Sequence, residues 1–489
     1  MRTAADHPEG FVERTDVCVI GSGAGGGVAA ALLAEAGREV LVLEEGEHVP
    51  RERMTQREEQ MYPLLYRDGG NQSTTDGSIS VLQGRCVGGS TVVNMADVVP
   101  IPTGVLAHWR ERFGLTRHSD ERWEEASATA MRAIGANRIA TDKVNRNGQL
   151  LLDGARALGF EGNAFIHNRV DCIGSGYCMV GCAYDAKKSV ALTWIPRALA
   201  TGRAQVQTQA RAVRFHRDGG TVTAVEGELS NGATFRVEAD HFVLAAGAIH
   251  SPLVLRRSGL GGRRVGQYLS LQPQAPVSAV FPDSVVMHRG VPQATYVDST
   301  EWANADEGLA GFRLESISST PGMAASSGAG WGEAAALQMQ MYRNMAACLC
   351  LVPDRPEGEV RRKKNERPAI RYGFQRLWTQ RMDEAIRTAA RVYLAAGATH
   401  VNLPLVGAPV IRTEADLERL PPIRPNSLPL LSAHPQGTCR VGEVLDERFF
   451  VRGIDNLQVL DASVFPTSSS SHTMLPVMQV AQLGVEELT

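Results

Sequence analysis

"DVCVIGSGAGGGVAAALLAEAGREVLVLEEG", Asp16–Gly46, decides the fold. Asp16–Ile20 is a short, apolar, β-branched run that reads as a buried strand. Gly21, Gly23 and Gly26 follow at once in G-x-G-x-x-G spacing, and an alanine-rich segment closed by Gly37 reads as a helix. A second apolar run then ends at Glu44, 23 residues after Gly21, near the ~20-residue spacing of an acid that binds a ribose hydroxyl. The glycines allow a tight turn and close backbone approach, and the helix start offers free N–H groups to a pyrophosphate. This strand–turn–helix–strand–acid order predicts dinucleotide binding by an α/β domain, without separating NAD from FAD.

The chain has 489 residues, too many for one hydrophobic core, so two domains are expected. Its net charge of −3, with 43% hydrophobic residues, excludes nucleic acid and anionic membranes as main partners. No apolar run reaches the ~18–20 residues of a bilayer span. The N-terminus lacks a basic-then-apolar leader, so a cytoplasmic location with eight reduced cysteines is expected.

Three cysteines crowd "CIGSGYCMVGC" (Cys172–Cys182). Cys178 and Cys182 have the C-x3-C spacing of an iron–sulfur run, but Ser175 stands where a further thiolate is needed. Three thiolates also fall short of a structural zinc site. No metal is expected, and the stretch reads as a compact loop packed on the cofactor domain.

Two further stretches carry a resemblance. "GRCVGGSTVVN" (Gly84–Asn94) is a second glycine-rich loop, and "FVLAAGAIHSPLVLRRSGLGG" (Phe242–Gly262) is a strand, a Gly turn and a helix expected to begin at Ser251-Pro252. With "SAHPQGTCRVG" (Ser432–Gly442) and Asp455–Gly484, the chain resembles the glucose–methanol–choline (GMC) family of FAD-dependent oxidoreductases, and most of all its long-chain-alcohol branch. The family's second signature is met at Gly247, Ala248, Ser251, Pro252 and Ser258–Gly261. The first is met from Gly84 to Asn94 and lost at Val98, where an aromatic residue or Ala is usual.

The resemblance implies a Rossmann-like FAD domain formed by 1–100, 185–270 and 431–489, with an antiparallel-sheet-plus-helices substrate domain inserted as 101–184 and 271–430. It implies cofactor contacts from Gly21, Gly23, Ala24, Gly26 and Glu44, and from Gly84, Arg85, Gly88, Gly89, Ser90 and Asn94. Further contacts are expected from Ala246, Ala462, Thr473 and Met474. Asp461 reads equally as a residue near the pyrophosphate and as a simple turn acid. Val93 occupies the place where some relatives carry a histidine bonded to flavin, so non-covalent FAD is expected.

Oxidising an alcohol removes an O–H proton and a C–H hydride, and histidine is the natural base near neutral pH. Of twelve histidines, His434 and His472 fall in the family's catalytic blocks. The resemblance makes His434 the general base; otherwise it is a histidine on a surface turn. It makes His472 a hydrogen-bond donor to the substrate oxygen, beside flavin and at the start of a helix. The implied activity is oxidation of an alcohol or sugar-like small molecule, with hydride passing to flavin N5 and reoxidation by O₂ or an electron acceptor. A hydroxynitrile-lyase-like reaction without net redox is the alternative. Ala336–Cys350, rich in Met, reads either as core or as the lining for a bulky apolar substrate. The basic run Val360–Tyr372 reads as a solvated turn.

Overall fold

The computed structural model describes residues 1–299, 311–327, 331–363, 367–405 and 409–489. Lys364, Asn365 and Glu366 of the basic run lie outside the described residues. Strands β1 (Phe11–Ile20) and β2 (Val40–Leu43) flank helix α1 (Ala24–Glu35), as the opening stretch predicts. Together with β5 (Ala204–Gln207), β6 (Ala210–Asp218), β7 (Thr221–Leu229), β8 (Thr234–Leu244) and β15 (Leu457–Val459) they form one seven-stranded sheet. Its order is β5-β2-β1-β8-β7-β6, with β15 also on β8. The β5-β2-β1-β8-β15 part is parallel and the β8-β7-β6 part antiparallel. Glycine inside α1 allows close packing: a Cβ at Gly25 would lie 1.7 Å from the Leu460 carbonyl oxygen and one at Gly26 1.9 Å from that of Gly21.

A second sheet has eight strands, with order β3-β14-β9-β12-β11-β10-β4 and β13 also on β9. These are β3 (Ile79–Val81), β4 (Gly162–Ala164), β9 (Gln274–Val280), β10 (Thr295–Asp298), β11 (Arg313–Ser316), β12 (Met345–Leu351), β13 (His400–Asn402) and β14 (Leu430–Ser432). All its pairings are antiparallel except β3 with β14. Strand alternation sends Ala275, Val277, Ala279, Cys348 and Cys350 into a core shared with α4 (Arg146–Ala157) and α6 (Arg376–Ala395). The opposite face is open to a cavity.

The domain boundaries differ from the sequence expectation in more than one place: β3, expected within the FAD domain, pairs with β14 in the second sheet. Helices α2 (Thr103–Phe113) and α3 (Asp120–Ala133) pack into the core of the first sheet, not the second. Trp109 stacks on Phe465 at 5.3 Å and donates to Thr467 Oγ1 at 2.7 Å. Gln479 and Gln482 of α7 (Met474–Val485) donate to the carbonyls of Trp123 and Ala126. Apolar faces of α2 and α3 match the buried C-terminal helix, so residues 101–134 belong with the cofactor core. Helix α5 (Gly247–Arg257) also starts a turn before Ser251. Pro252 removes one helical N–H, and the carbonyl it frees, that of Ala248, accepts from Thr438 Oγ1 at 2.6 Å instead.

Candidate active site

One cavity of about 2360 Å³ lies between the sheets and reaches from the first glycine loop to both candidate histidines. Gly21, Gly23, Ala24, Glu44, Gly84, Arg85, Gly89, Ser90, Asn94, Ala246, Asp461, Ala462, Thr473 and Met474 all line it. Gly26 and Gly88 do not. Gly26 seats α1 on the first turn, and Gly88, at φ +93°, packs against Ala191 while its N–H donates to Ser22 Oγ at 3.0 Å. Both make room for the slot instead of touching its contents.

The slot fits a dinucleotide. Gly23 meets no atom within 4 Å of an added Cβ, and a Cβ on Gly89 would stand 3.0 Å from Gly23 Cα, so the two loops are lips of one opening. Glu44 stiffens it, accepting from Ser22 N, Ser22 Oγ and Gly46 N at 3.0, 2.6 and 2.8 Å. Burial pushes the Glu44 carboxyl up. Asp461 likewise accepts from Gly247 N and Ser463 N, each at 2.8 Å, tying α5 to the C-terminal block. Beside Glu44, Glu45 takes a bidentate bond from Arg67 at 2.5 and 2.7 Å, a pair the sequence did not announce.

At the other end, His434 and His472 face each other with ring centroids 4.8 Å apart. Both are buried. His434 follows β14 in a turn braced by Gln436, which donates to the His434 carbonyl and to Gln272 Oε1, and accepts from Ser469 N at 2.9 Å. His434 Nδ1 is buried without a partner among the described residues. Burial first, then the neighbouring His472 charge, pushes its pKa down to about 3, so the ring is neutral at pH 7.

His472 is the opposite case. Its Nε2 lies 2.7 Å from Glu315 Oε1 on β11, and its Nδ1 lies 3.4 Å from Asp97 Oδ2. Burial opposes the charge, but the two carboxylates outweigh it and push the pKa up to about 10. Nε2 is thus hydrogen-bonded to Glu315, Nδ1 lies at ion-pair distance from Asp97, and the residue contributes a positive charge beside the place expected for the substrate oxygen. The helix expected to start beside it does so, with Thr473 as its cap.

The cage extends outward. Asp97 Oδ1 lies 2.7 Å from His167 Nε2, and Arg169 bonds His167 Nδ1 and the Met95 carbonyl. Although burial opposes ionisation, His167 and His472 hold the Asp97 carboxyl well below its usual range. Gln293 Nε2 donates to Glu315 Oε2 at 2.6 Å. Here the cysteine stretch finds its place. Lys187, fully buried just after it, donates to the carbonyls of Asn94 and Cys178 at 2.6 and 2.7 Å, and Arg169 reaches Cys178 Sγ at 3.4 Å. The loop thus buttresses residues 94–97 from behind. Burial pushes the Lys187 amine down to about 8.

Between these ends, the Met-rich segment is both core and lining: Met341, Met345, Ala347 and Leu349 face the cavity while Cys348 and Cys350 face the helices.

Family models for GMC oxidoreductase match residues 62–274 and 354–481, and one for an NAD(P)-binding Rossmann-like domain matches 19–62. The chain belongs to the GMC oxidoreductase family. An uncharacterized GMC-type oxidoreductase of Mycobacterium tuberculosis is 34% identical over 496 residues, covering 99% of this chain and 77% of the relative. The long-chain-alcohol oxidase FAO3 of Arabidopsis thaliana is 26% identical over 513 residues, covering 96% and 67%. Among solved structures, pyridoxine 4-oxidase from Mesorbium loti superposes with a TM-score of 0.74 at 19% identity, covering 97% of this chain and 99% of the other. A formate oxidase of Aspergillus oryzae gives 0.73 at 17% identity, covering 98% of each. As a GMC protein the chain is an FAD-dependent oxidoreductase, and the slot between its glycine loops is where the residues present would hold FAD.

Proposed function

We propose that the protein oxidises the CH–OH group of a bulky, largely apolar alcohol to a carbonyl, with non-covalently held FAD as hydride acceptor and O₂ or another electron acceptor completing the cycle. The observation that carries this reading is the pairing of a neutral His434 with a caged, cationic His472 at the end of a cavity continuous with the dinucleotide slot. Met341, Met345, Leu349, Leu403 and Leu428 on the cavity wall favour an apolar skeleton. Val93 lines the same cavity and carries no nucleophile to bond a flavin.

FAD, when bound, supplies the hydride acceptor. The protein does the rest. An alcohol between the two rings meets an unprotonated imidazole able to take its O–H proton. The nearby imidazolium stabilises negative charge on the oxygen as that proton leaves, between two buried rings. The Glu315 and Asp97 cage keeps His472 charged and keeps its ring from turning. Anaerobic mixing with a panel of alcohols should bleach the flavin. Mild denaturation should release about one FAD per chain, as no bond to the polypeptide is expected. A lyase would turn over its substrate with the flavin still yellow, and flavin retained after denaturation would refute the non-covalent reading.

A further inference from the structure

The open face of the second sheet is the floor of the cavity. Pairing sets its rows: Pro276 lies beside Leu349, and Leu349 beside Glu315; two residues further along, Ser278 lies between Ala347 and Asn402. Glu315 therefore shares the face that lines the cavity, and it marks the catalytic end. Going away from it, the wall is apolar through Leu349, Pro276, Ala347 and Ile317. It then turns polar again at Ser278, Asn402 and His400, all cavity-lining.

Among the described residues, no hydrogen bond is made by these polar side chains. Asn402 Nδ2 is buried without a partner, and neither Ser278 nor Asn402 forms a side-chain hydrogen bond among the described residues. A polar group left unpaired this way costs about 1–3 kcal/mol unless something else satisfies it. Burial, and then Arg412, holds His400 below its ordinary pKa, so the three groups are neutral at pH 7. Each both donates and accepts. That suits a hydroxyl or carbonyl oxygen and gives no fixed charge to balance a carboxylate.

We propose that Ser278 and Asn402, with His400 beside them, form a second polar subsite that binds an uncharged oxygen at the far end of the substrate. Three strand steps and two residues separate Glu315 from Asn402, or roughly 16 Å. The substrate is then an alcohol whose apolar skeleton bears a second hydroxyl or ketone at its far end, at a spacing of that order. This rests on the alcohol-oxidation reading, and the two are separable by experiment.

The probes are n-dodecanol and the dodecane diol with a hydroxyl at each end. Binding is measured by calorimetry on FAD-loaded His434→Ala, where turnover is suppressed, and flavin bleaching is measured on the wild type. The diol should bind roughly 10–100-fold tighter than the mono-alcohol, and the ratio should fall towards one when Ser278→Ala and Asn402→Ala are added, together or singly. Equal binding of the two probes, no binding of either, or a preference that survives both substitutions overturns the subsite. A preference lost in the variants, with a flavin that neither probe bleaches, upholds the subsite and refutes alcohol oxidation. Bleaching with equal binding does the reverse.

Discussion

Replacing Glu315 by Gln keeps shape and removes one of the two carboxylates that hold the charge on His472. At 2.7 Å the pair is close. Unit charges at that spacing interact by roughly 6 kcal/mol at an effective dielectric of about 20. Spread over two oxygens and a ring, a loss of ~2–4 pK units is expected at about 1.4 kcal/mol per unit. His472 would fall from about 10 into the region of ~6–8. In the wild type, His434 is unprotonated above about 3 and His472 protonated up to about 10, so the rate of anaerobic flavin reduction should be flat between pH 6 and 9. In Glu315→Gln that rate should acquire an alkaline limb inside this window, with near-wild-type rates kept only at its acid end. Stability should follow the same sign. The folded pKa of His472 lies above its unfolded value of about 6.5, so its contribution is complete below pH 6.5 and is lost as pH rises through about 10. In the variant that loss should move to lower pH. A Glu315→Gln enzyme whose rate stays flat to pH 9 would refute the idea that His472 works as a cation.

His434→Ala should slow flavin reduction by ~10²–10⁴-fold with FAD content unchanged, and alkaline pH should partly restore the rate by ionising the alcohol; a near-wild-type rate would remove His434 as the base. Gly23→Val puts its side chain into open space at an ordinary φ, so the apoprotein should fold with an unchanged Tm yet fail to hold FAD. Gly25→Ala collides with the Leu460 carbonyl and should instead lower the Tm of the apoprotein itself. Lys187→Met leaves the Asn94 and Cys178 carbonyls unsatisfied. It should destabilise by ~2–4 kcal/mol in denaturant titrations and loosen FAD, measured by ultrafiltration, more than His434→Ala does.

The parts legible in the sequence are those whose chemistry is local. Asp16–Gly46 carries strand, turn, helix and acid in one unbroken stretch, and the structure folds it as read. His434 and His472 stand in short blocks with recognisable neighbours. Glu315 and Asp97 were missed because their roles depend on meeting across 218 residues of chain. The one available hint was Arg313 and Glu315 alternating on a short strand, a pattern usually read as a solvated face, whereas all four residues of that strand are buried. The placement of 101–134 failed for a related reason: the apolar stripes on α2 and α3 say that something covers them, and not which sheet.

His472 is held by one carboxylate from the substrate sheet, Glu315, and one from the glycine-loop side, Asp97. That makes the ring a rivet through both halves of the molecule. Any hinge motion that parts the halves, whether to admit substrate or release product, stretches at least one of these contacts and lowers the proton affinity of the ring. An opening of that kind would be coupled to proton release, and closure to proton uptake. The gap between the halves and the charge at the reacting centre would then form a single variable, tying access to the site to its readiness to react.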